Sequence, residues 1–173
     1  FLNYYGVSKI NKLDGMWAFV YYNYKKKKLF ICRDRFGEKP LYFFKNKKNI
    51  IFGSSIDFIL TISRTKHKID KRQAETYLKN GFRSLFFQKN AQSLFKDIFS
   101  FEPGKYYIFD ENFIMKERSY WNSKINKIRQ NNYLSATKKL KNIFKYNISQ
   151  RVRSDYPIAC LLSGGIDSST IAC

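Results

Sequence analysis

The sequence predicts an α+β fold with antiparallel sheets in the first part of the chain, followed by the first helix, strand and loop of an α/β domain. Short apolar and aromatic runs separated by polar turns fill residues 15–53 and 98–120, as is typical of antiparallel strands. A long helical pattern then precedes an uninterrupted apolar run at 158–162, which is typical of a strand buried on both faces of a parallel sheet. We therefore predict a first domain at 1–121, a polar, lysine-rich linker at 122–132 and a second domain that starts at 133 and continues to 173.

The strands of the first domain are predicted from apolar runs that end at polar or glycine-containing turns. The first four are joined by short connections, so we expect them to form one antiparallel sheet. The later three are separated by Pro103-Gly104 and by the polar residues 110–112. The predicted strands cover 15–23, 29–33, 41–44, 50–53, 98–101, 105–109 and 113–120.

Two helices carry recognisable start and stop signals. Asp70 followed by Gln73 is typical of an N-terminal cap, and Gly81 is typical of the residue that closes a helix. In the second domain, apolar or small residues recur every three or four positions over 133–152, which predicts a long helix. Pro157 then separates this helix from the apolar run at 158–162.

The composition excludes several classes of protein. The formal net charge is +20, but the lysines are spread over predicted turns and one helix, so we expect a solvated surface and no specific nucleic-acid site. No apolar run approaches the roughly 18 residues that cross a bilayer, so we expect no membrane association and a cytoplasmic protein. The cysteines, Cys32, Cys160 and Cys173, are widely spaced and accompanied by a single histidine, which predicts reduced, mostly buried thiols and no zinc site.

Residues 163–169, S-G-G-I-D-S-S, lie between the apolar run and a predicted helix start. Glycines let backbone N–H groups approach phosphate oxygens, and a helix N-terminus adds further donors. The hydroxyls of Ser163 and Ser168 can donate to the same oxygens, while the carboxylate of Asp167 suits a magnesium ion or a helix cap. No lysine follows the glycines, so this is not the loop of γ-phosphate enzymes. The segment predicts a pyrophosphate-binding loop.

This loop resembles that of the ATP-pyrophosphatase superfamily, and further segments in the same order narrow the resemblance. Residues 33–42, R-D-R-F-G-E-K-P-L-Y, closely resemble a segment of the glutaminase domain of asparagine synthetases. The other matching segments are L-D-G-M-W-A-F at 13–19, F-G-S-S at 52–55, P-G at 103–104, Y-W at 120–121, S-D-Y-P at 154–157 and L-L-S-G-G-I-D-S at 161–168. The chain is identified as a member of the glutamine-hydrolysing asparagine synthetase family.

The resemblance implies an amide ligase. Such enzymes adenylate aspartate with Mg-ATP, and ammonia released from glutamine then attacks the β-aspartyl adenylate to give asparagine, AMP and pyrophosphate. The implied substrates are aspartate, glutamine and ATP, the implied metal is Mg²⁺, and the full-length form could be a homodimer. The ATP-binding residues implied by the motif are Leu162, Ser163, Gly164, Gly165, Asp167 and Ser168, and Asp167 is also the candidate for magnesium.

The resemblance also implies family features that these residues do not contain, the glutaminase nucleophile among them. The family's glutaminase uses an N-terminal cysteine as nucleophile, and this chain starts with Phe1. We expect the chain to be a fragment, holding the later part of the glutaminase domain and the start of the synthetase domain. Alone, it is expected neither to hydrolyse glutamine nor to make asparagine, and no catalytic residue is predicted within it.

Three alternatives remain open. A related amidotransferase or synthetase could act on another carboxylate, such as a β-lactam precursor or a sugar acid. A basic RNA-binding module would share the charge, and a truncated gene product would share the motifs. Two further expectations concern individual segments. Residues 33–40 form a bend held by an internal arginine–aspartate pair, and His67 is a surface residue without a catalytic role.

Overall fold

The computed structural model describes residues 1–81, 93–123 and 132–173. The chain forms two compact units, Phe1–Ser123 and Lys124–Cys173. Most of the predicted linker, residues 124–131, lies outside the described residues. The first unit combines helices with two antiparallel sheets, which confirms the predicted fold class.

The strands of the first unit form a four-stranded and a three-stranded sheet. The strands are β1 (Ala18–Asn23), β2 (Lys28–Arg33), β3 (Tyr42–Lys45), β4 (Ile50–Gly53), β5 (Ile98–Ser100), β6 (Lys105–Phe109) and β7 (Met115–Ser119). The larger sheet has the order β1-β2-β6-β7 and the smaller one β4-β3-β5, with antiparallel neighbours throughout. Each predicted strand position in this unit therefore carries a strand.

The expectation that the first four strands share one sheet is wrong. The hairpins β1–β2 and β3–β4 lie in different sheets, because each inner strand pairs with a strand from much later in the chain. Leu29 of β2 lies opposite Phe109 of β6, and Phe44 of β3 lies opposite Ile98 of β5. Local patterns identify strands, but partners so distant in sequence leave no local signal.

The core lies where the two sheets contribute side chains to a shared cluster. Ile31 and Tyr107 come from the larger sheet, and Phe43 comes from the smaller one. The ring of Phe101 stacks on that of Phe43 with centroids 4.5 Å apart, and Phe101 is only 1% exposed. A second buried cluster joins the other face of the smaller sheet to the helix that follows β4, through Ile59 and Ile98.

Five α-helices and one 3₁₀ turn are assigned within the described residues. They are α1 (Leu2–Tyr5), the 3₁₀ turn Val7–Lys12, α2 (Ile56–Ser63), α3 (Lys71–Asn80), α4 (Tyr133–Arg151) and α5 (Ile166–Ala172). The predicted caps of α3 are confirmed, because Asp70 accepts bonds from the N–H groups of Arg72 and Gln73 and Gly81 has φ 71°. Helix α2, whose first turn is capped by Ser55, was not predicted from the sequence.

In the second unit, the predicted long helix is confirmed as α4, but the predicted strand at 158–162 is not formed. Residues 157–163 belong to no helix or strand, and the side chains of Leu161 and Leu162 are 92% and 63% exposed. A strand of a parallel sheet needs neighbours for its backbone hydrogen bonds. Residues 132–173 contain no second strand that could supply them.

The described helices also bear on the expectation of no membrane association. Over residues 1–81, 93–123 and 132–173, none of the helices combines the length and the apolar character that a bilayer crossing requires.

Candidate functional site

The predicted phosphate loop turns sharply into α5. Gly164 has φ 77°, a conformation that glycine adopts without the strain that a side chain would bring. Gly165 follows in an extended conformation and occupies the N-cap position of α5, where no side chain caps the helix. The sequence folds locally in this way because Gly164 permits the reversal and Ile166 starts the helix.

The hydroxyls of two predicted site residues converge across this turn. The Oγ atoms of Ser163 and Ser168 are 3.0 Å apart, and the Ser168 hydroxyl also donates to the carbonyl of Gly165 at 3.2 Å. The N–H of Ser163 donates to Ser168 Oγ at 3.3 Å, and that of Gly165 donates to Ser163 Oγ at 3.4 Å. The two side chains therefore hold the loop closed. In these hydrogen bonds, the oxygen of a ligand could take the place of the present acceptor.

The first turn of α5 supplies further donors. The first helical hydrogen bond starts at the N–H of Ser169, which donates to Gly165 O at 3.1 Å. Among the hydrogen bonds of residues 132–173, none is donated by the N–H groups of Ile166, Asp167 or Ser168. These N–H groups, together with two hydroxyls and an exposed loop, make a donor set that fits the oxygens of a phosphate chain.

The remaining predicted residues lie at the edges of this loop. Leu162 precedes it and exposes 63% of its surface, and Asp167 lies in the first turn of α5 with an exposed side chain. Within the described ranges, no group of three or more metal-ligating side chains is found. A magnesium ion held by Asp167 would therefore need phosphate oxygens and water as its other ligands, which is the usual mode for this ion.

The segment 33–40 in the first unit is held by its arginine. The Arg33 side chain donates to the carbonyls of Lys39 and Gly37 at 2.7 and 2.6 Å. It also donates to Phe101 O at 2.7 Å and to Ser100 Oγ at 2.8 Å. The residue is 5% exposed, and burial lowers the pKa of its guanidinium. These bonds connect the segment to β5.

The aspartate of the same segment acts separately. Asp34, 1% exposed, accepts N–H bonds of 3.0 Å each from Phe36, Glu38 and Lys39. Burial alone would raise the pKa of this carboxyl, but the N–H donors outweigh it and the net pKa is lowered. The prediction of an arginine–aspartate pair inside this segment is therefore wrong. Arg33 and Asp34 each bind backbone groups. Among the ion pairs of the described residues, Arg35 pairs with Asp14, which lies outside the segment. These contacts give the bend a structural role.

The cysteines occupy contrasting surroundings. Cys32 in β2 is fully buried, and burial raises the pKa of its thiol to about 11. Cys160 and Cys173 are exposed, so the prediction of mostly buried thiols is wrong for those two. Cys160 lies in the apolar run that would be covered if the predicted strand had neighbours.

His67 is not a surface residue, contrary to the prediction. Its side chain is only 2% exposed and packs edge-on against the ring of Phe44 at 4.9 Å. Nδ1 lies 2.8 Å from Asp97 Oδ2, and Nε2 lies 2.6 Å from Ser63 Oγ. The polar sequence around His67 gave no signal of this, because the aspartate lies 30 positions later.

Comparison with known proteins decides the family. The profile of the family described as "Glutamine amidotransferase domain" matches residues 1–121, and that described as "Asparagine synthase" matches residues 139–173. The chain belongs to the glutamine amidotransferase family. This match confirms the resemblance inferred from the motifs. The matched residues, 1–121, include the 33–42 segment of the first unit.

Individual relatives are similar over nearly the whole chain. A Methanocaldococcus jannaschii protein provisionally named asparagine synthetase [glutamine-hydrolyzing] 2 is 31% identical over 98% of this chain and 32% of its own length. Asparagine synthetase [glutamine-hydrolyzing] 3 of Bacillus subtilis is 29% identical over 94% of this chain and 25% of its own. Amidase chry2 of Gibberella zeae is 26% identical over 98% of this chain and 24% of its own length. The chain thus spans a quarter to a third of the length of these relatives.

Proposed function

We propose that this glutamine amidotransferase chain is part of an amide ligase that activates aspartate with ATP and transfers glutamine-derived ammonia to it, giving asparagine. The observation that carries the proposal is the closed loop at 163–168, where two serine hydroxyls and the free N–H groups of α5 face solvent together. The match of residues 139–173 to the asparagine synthase family supports it.

The reaction gives each loop residue a role. A carboxylate oxygen of aspartate attacks the α-phosphorus of ATP, the bond to the bridging oxygen breaks, and pyrophosphate leaves. Ammonia nitrogen then attacks the activated acyl carbon, loses a proton and displaces AMP. In this scheme Ser163, Gly164, Gly165 and Ser168 bind the leaving pyrophosphate through their N–H and hydroxyl groups. Leu162 would contact the nucleotide, and Asp167 would hold Mg²⁺, which would supply neutralisation of the phosphate charge.

The three cysteines of the chain are poor candidates for the nucleophile that the ammonia-producing half requires. Cys32 is fully buried with a thiol pKa of about 11, so it forms little thiolate at neutral pH. Cys160 and Cys173 lie in the second unit, outside the part matched to the glutamine amidotransferase family. We therefore propose that the 173-residue chain alone releases no ammonia from glutamine. We also propose that the domains extend over 1–121 and 133–173, joined by a linker at 122–132.

The experiment measures aspartate-dependent exchange of pyrophosphate into ATP by the longer protein that carries this chain. We expect Ser168→Ala to lower the exchange rate by about 10²–10³, the usual cost of losing one preorganised donor. Ser135→Ala is the matched control, because Ser135 is an exposed serine of α4 outside the loop. Exchange that is absent with every carboxylate, or that is equally fast in both variants, would contradict the proposal.

A second candidate differs only in the carboxylate that is activated. Relatives that cover most of this chain include proteins named amidases, from Gibberella zeae and Penicillium rubens, as well as asparagine synthetases. The residues that would recognise the acyl group are not among those assigned to the loop. The same exchange assay separates the candidates: stimulation by aspartate favours asparagine synthesis, and stimulation by another carboxylic acid with none by aspartate favours a different amide product.

A further inference from the structure

Three polar side chains beside the end of α2 form a hydrogen-bonded chain. Nδ1 of His67 lies 2.8 Å from Asp97 Oδ2, and Nε2 lies 2.6 Å from Ser63 Oγ. The order carboxylate, imidazole, hydroxyl is that of the triad with which serine hydrolases activate a nucleophile. Both distances fall in the range of roughly 2.6–3.2 Å that this chemistry requires. The three residues lie in the first unit, apart from the phosphate loop, so they form a separate site.

The fold holds the imidazole in place from several sides. Residues 68–70 pair with 94–96 through backbone hydrogen bonds of 3.0 and 2.9 Å, so the segments that carry His67 and Asp97 run side by side. The rings of Phe44 and Phe95 lie edge-on to the imidazole, with centroids 4.9 and 6.2 Å away. The His67 side chain is only 2% exposed. Its orientation towards the hydroxyl is therefore set by the fold.

The hydrogen bonds determine which nitrogen carries the proton. As a carboxylate, Asp97 can only accept, so Nδ1 of His67 donates to it and Nε2 presents a lone pair. Two hydroxyls lie near that lone pair, Ser63 Oγ at 2.6 Å and Thr65 Oγ1 at 3.1 Å. The Ser63 hydroxyl also lies 3.2 Å from the carbonyl of Leu60. Because its contact with Nε2 is the shortest of these, Ser63 is the residue that His67 is placed to deprotonate.

The residue after Ser63 fits the same chemistry. Arg64 ends α2 in the left-handed conformation, with φ 51° and ψ 28°. Such strain in a residue other than glycine is common at active sites. Among the hydrogen bonds of residues 1–81, 93–123 and 132–173, none is donated by the Arg64 N–H. The N–H that follows a nucleophile is a usual donor to the oxyanion of acyl transfer.

The charges around the triad indicate what kind of substrate it would attract. Arg64, Lys66 and Lys68 are exposed cations within five successive residues that include His67. The nearest carboxylate, that of Asp97, is already paired with the imidazole. A local positive field raises the concentration and the encounter rate of anions. The surroundings therefore favour an acyl compound that carries a negative charge.

We propose that Ser63 is an activated nucleophile that hydrolyses esters or thioesters of small acids bearing a second, free carboxylate. Ser63 Oγ attacks the acyl carbon and its proton passes to Nε2 of His67. The bond to the leaving oxygen or sulfur breaks, and the leaving group takes that proton. Water then attacks the acyl-serine, gives a proton to Nε2, and the acid departs as Ser63 recovers its proton. Asp97 is a positioning residue, which acts through His67.

The first test uses the longer protein that carries this chain, without substitution. A fluorophosphonate, which reacts with activated serines, is added for timed intervals, and mass spectrometry of peptides measures the labelling of each serine. Ser63 should be labelled at least about a hundredfold faster than Ser135, an exposed serine of α4, because a positioned base contributes about 10²–10⁴. Equal labelling of the two serines, or labelling of Thr65 in place of Ser63, overturns the proposal.

The second test measures turnover with the mono-p-nitrophenyl ester of succinic acid and with p-nitrophenyl acetate. Ser63→Ala should lower the rate with the succinate ester at least about a hundredfold, whereas Thr65→Val, the control beside the same imidazole, should hydrolyse like the parent protein. The succinate ester should react faster than the acetate, and added salt should reduce this preference. Unchanged turnover by Ser63→Ala, or an equal loss by both variants, overturns the nucleophile. Equal rates for the two esters overturn the anionic substrate class.

The third test separates positioning by Asp97 from a merely structural role. In Asp97→Asn, the amide NH₂ would face Nδ1 and favour the tautomer with the proton on Nε2, which cannot accept from Ser63. Fluorophosphonate labelling of Ser63 should fall at least about a hundredfold, with that of Ser135 unchanged. Nitrogen NMR of the imidazole should report the change of tautomer. Loss of labelling without a change of tautomer, or a changed tautomer with undiminished labelling, overturns the assigned role.

Discussion

The hydroxyl of Tyr120 donates a hydrogen bond of 2.7 Å to the backbone carbonyl of Arg33, which lies 87 positions earlier in the chain. Burial raises the pKa of this phenol, so it remains a donor across the physiological pH range. The bond joins the residue that follows β7 to the last residue of β2. It thereby fastens the Y-W segment near the end of the first unit to the start of the 33–42 segment.

We predict that Tyr120→Phe lowers the free energy of unfolding by about 1–3 kcal/mol, because the half-buried Arg33 carbonyl loses the phenol donor and the Cys32 thiol at 3.6 Å is a weak replacement. Denaturant unfolding followed by circular dichroism measures this difference. Tyr24→Phe is the matched control, since Tyr24 is 83% exposed and its change should stay within about 0.5 kcal/mol. Equal stabilities for the two variants would contradict the role of the hydrogen bond.

The buried carboxylate of Asp34 predicts an acid dependence of stability. Its pKa in the folded chain lies below the ordinary value of 3.8, because N–H donors favour the charged form more than burial opposes it. The unfolded chain therefore takes up this proton first as the pH falls. The stability that Asp34 contributes is complete above pH 3.8 and is lost as the pH falls through the lower folded value.

Asp34→Asn tests this dependence. The variant should be less stable at pH 7 by about 2–4 kcal/mol, because an amide NH₂ would face one of the three N–H donors. Below pH 4, the stability of the variant should also fall less steeply than that of the parent chain. Unfolding free energies measured from pH 7 to pH 3 report both effects. A parallel pH profile for the two chains would show that Asp34 does not titrate as described.

The His67–Asp97 contact predicts a strong energetic coupling between two residues 30 positions apart. Asp97 Oδ1 is buried and has no hydrogen-bond partner among the described residues, so the carboxylate depends on its contact through Oδ2. His67→Leu should destabilise the chain by about 2–4 kcal/mol, more than the same change would cost in a variant that already carries Asp97→Ala. A double-mutant cycle from denaturant unfolding gives the coupling energy. Additive effects would exclude it.

The sequence predicted elements well where the signal is local. The caps of α3 depend on Asp70 and Gly81, which act on residues within one turn, and both lie as predicted. The reversal at Gly164 and the start of α5 likewise depend on neighbouring residues, and the structure contains both. Short-range hydrogen bonds and backbone preferences decide such features, so a single sequence contains the information.

Features that depend on distant partners were not predictable in the same way. The division of the strands into two sheets depends on β5 and β6, which follow β4 by more than forty residues of the sequence. The burial of His67 depends on Asp97 and on the ring of Phe44. At 158–162 the apolar pattern correctly indicates a need for burial, but the described second unit contains no neighbouring strand that could provide it.

The contrast between the thiols yields a final prediction, which bears on the proposed function. Burial gives Cys32 a pKa of about 11 against an ordinary 9.0, so at pH 8 its thiolate fraction is lower by about two orders of magnitude. Cys160 and Cys173 are exposed. Iodoacetamide at pH 8 should therefore modify these two at least about a hundredfold faster than Cys32. Mass spectrometry of peptides after timed alkylation measures each rate, and denaturant should abolish the difference.

Rapid modification of Cys32 in the folded chain would mean that its thiol is accessible and activated. That result would reopen the question of whether a nucleophile for glutamine hydrolysis lies within these residues.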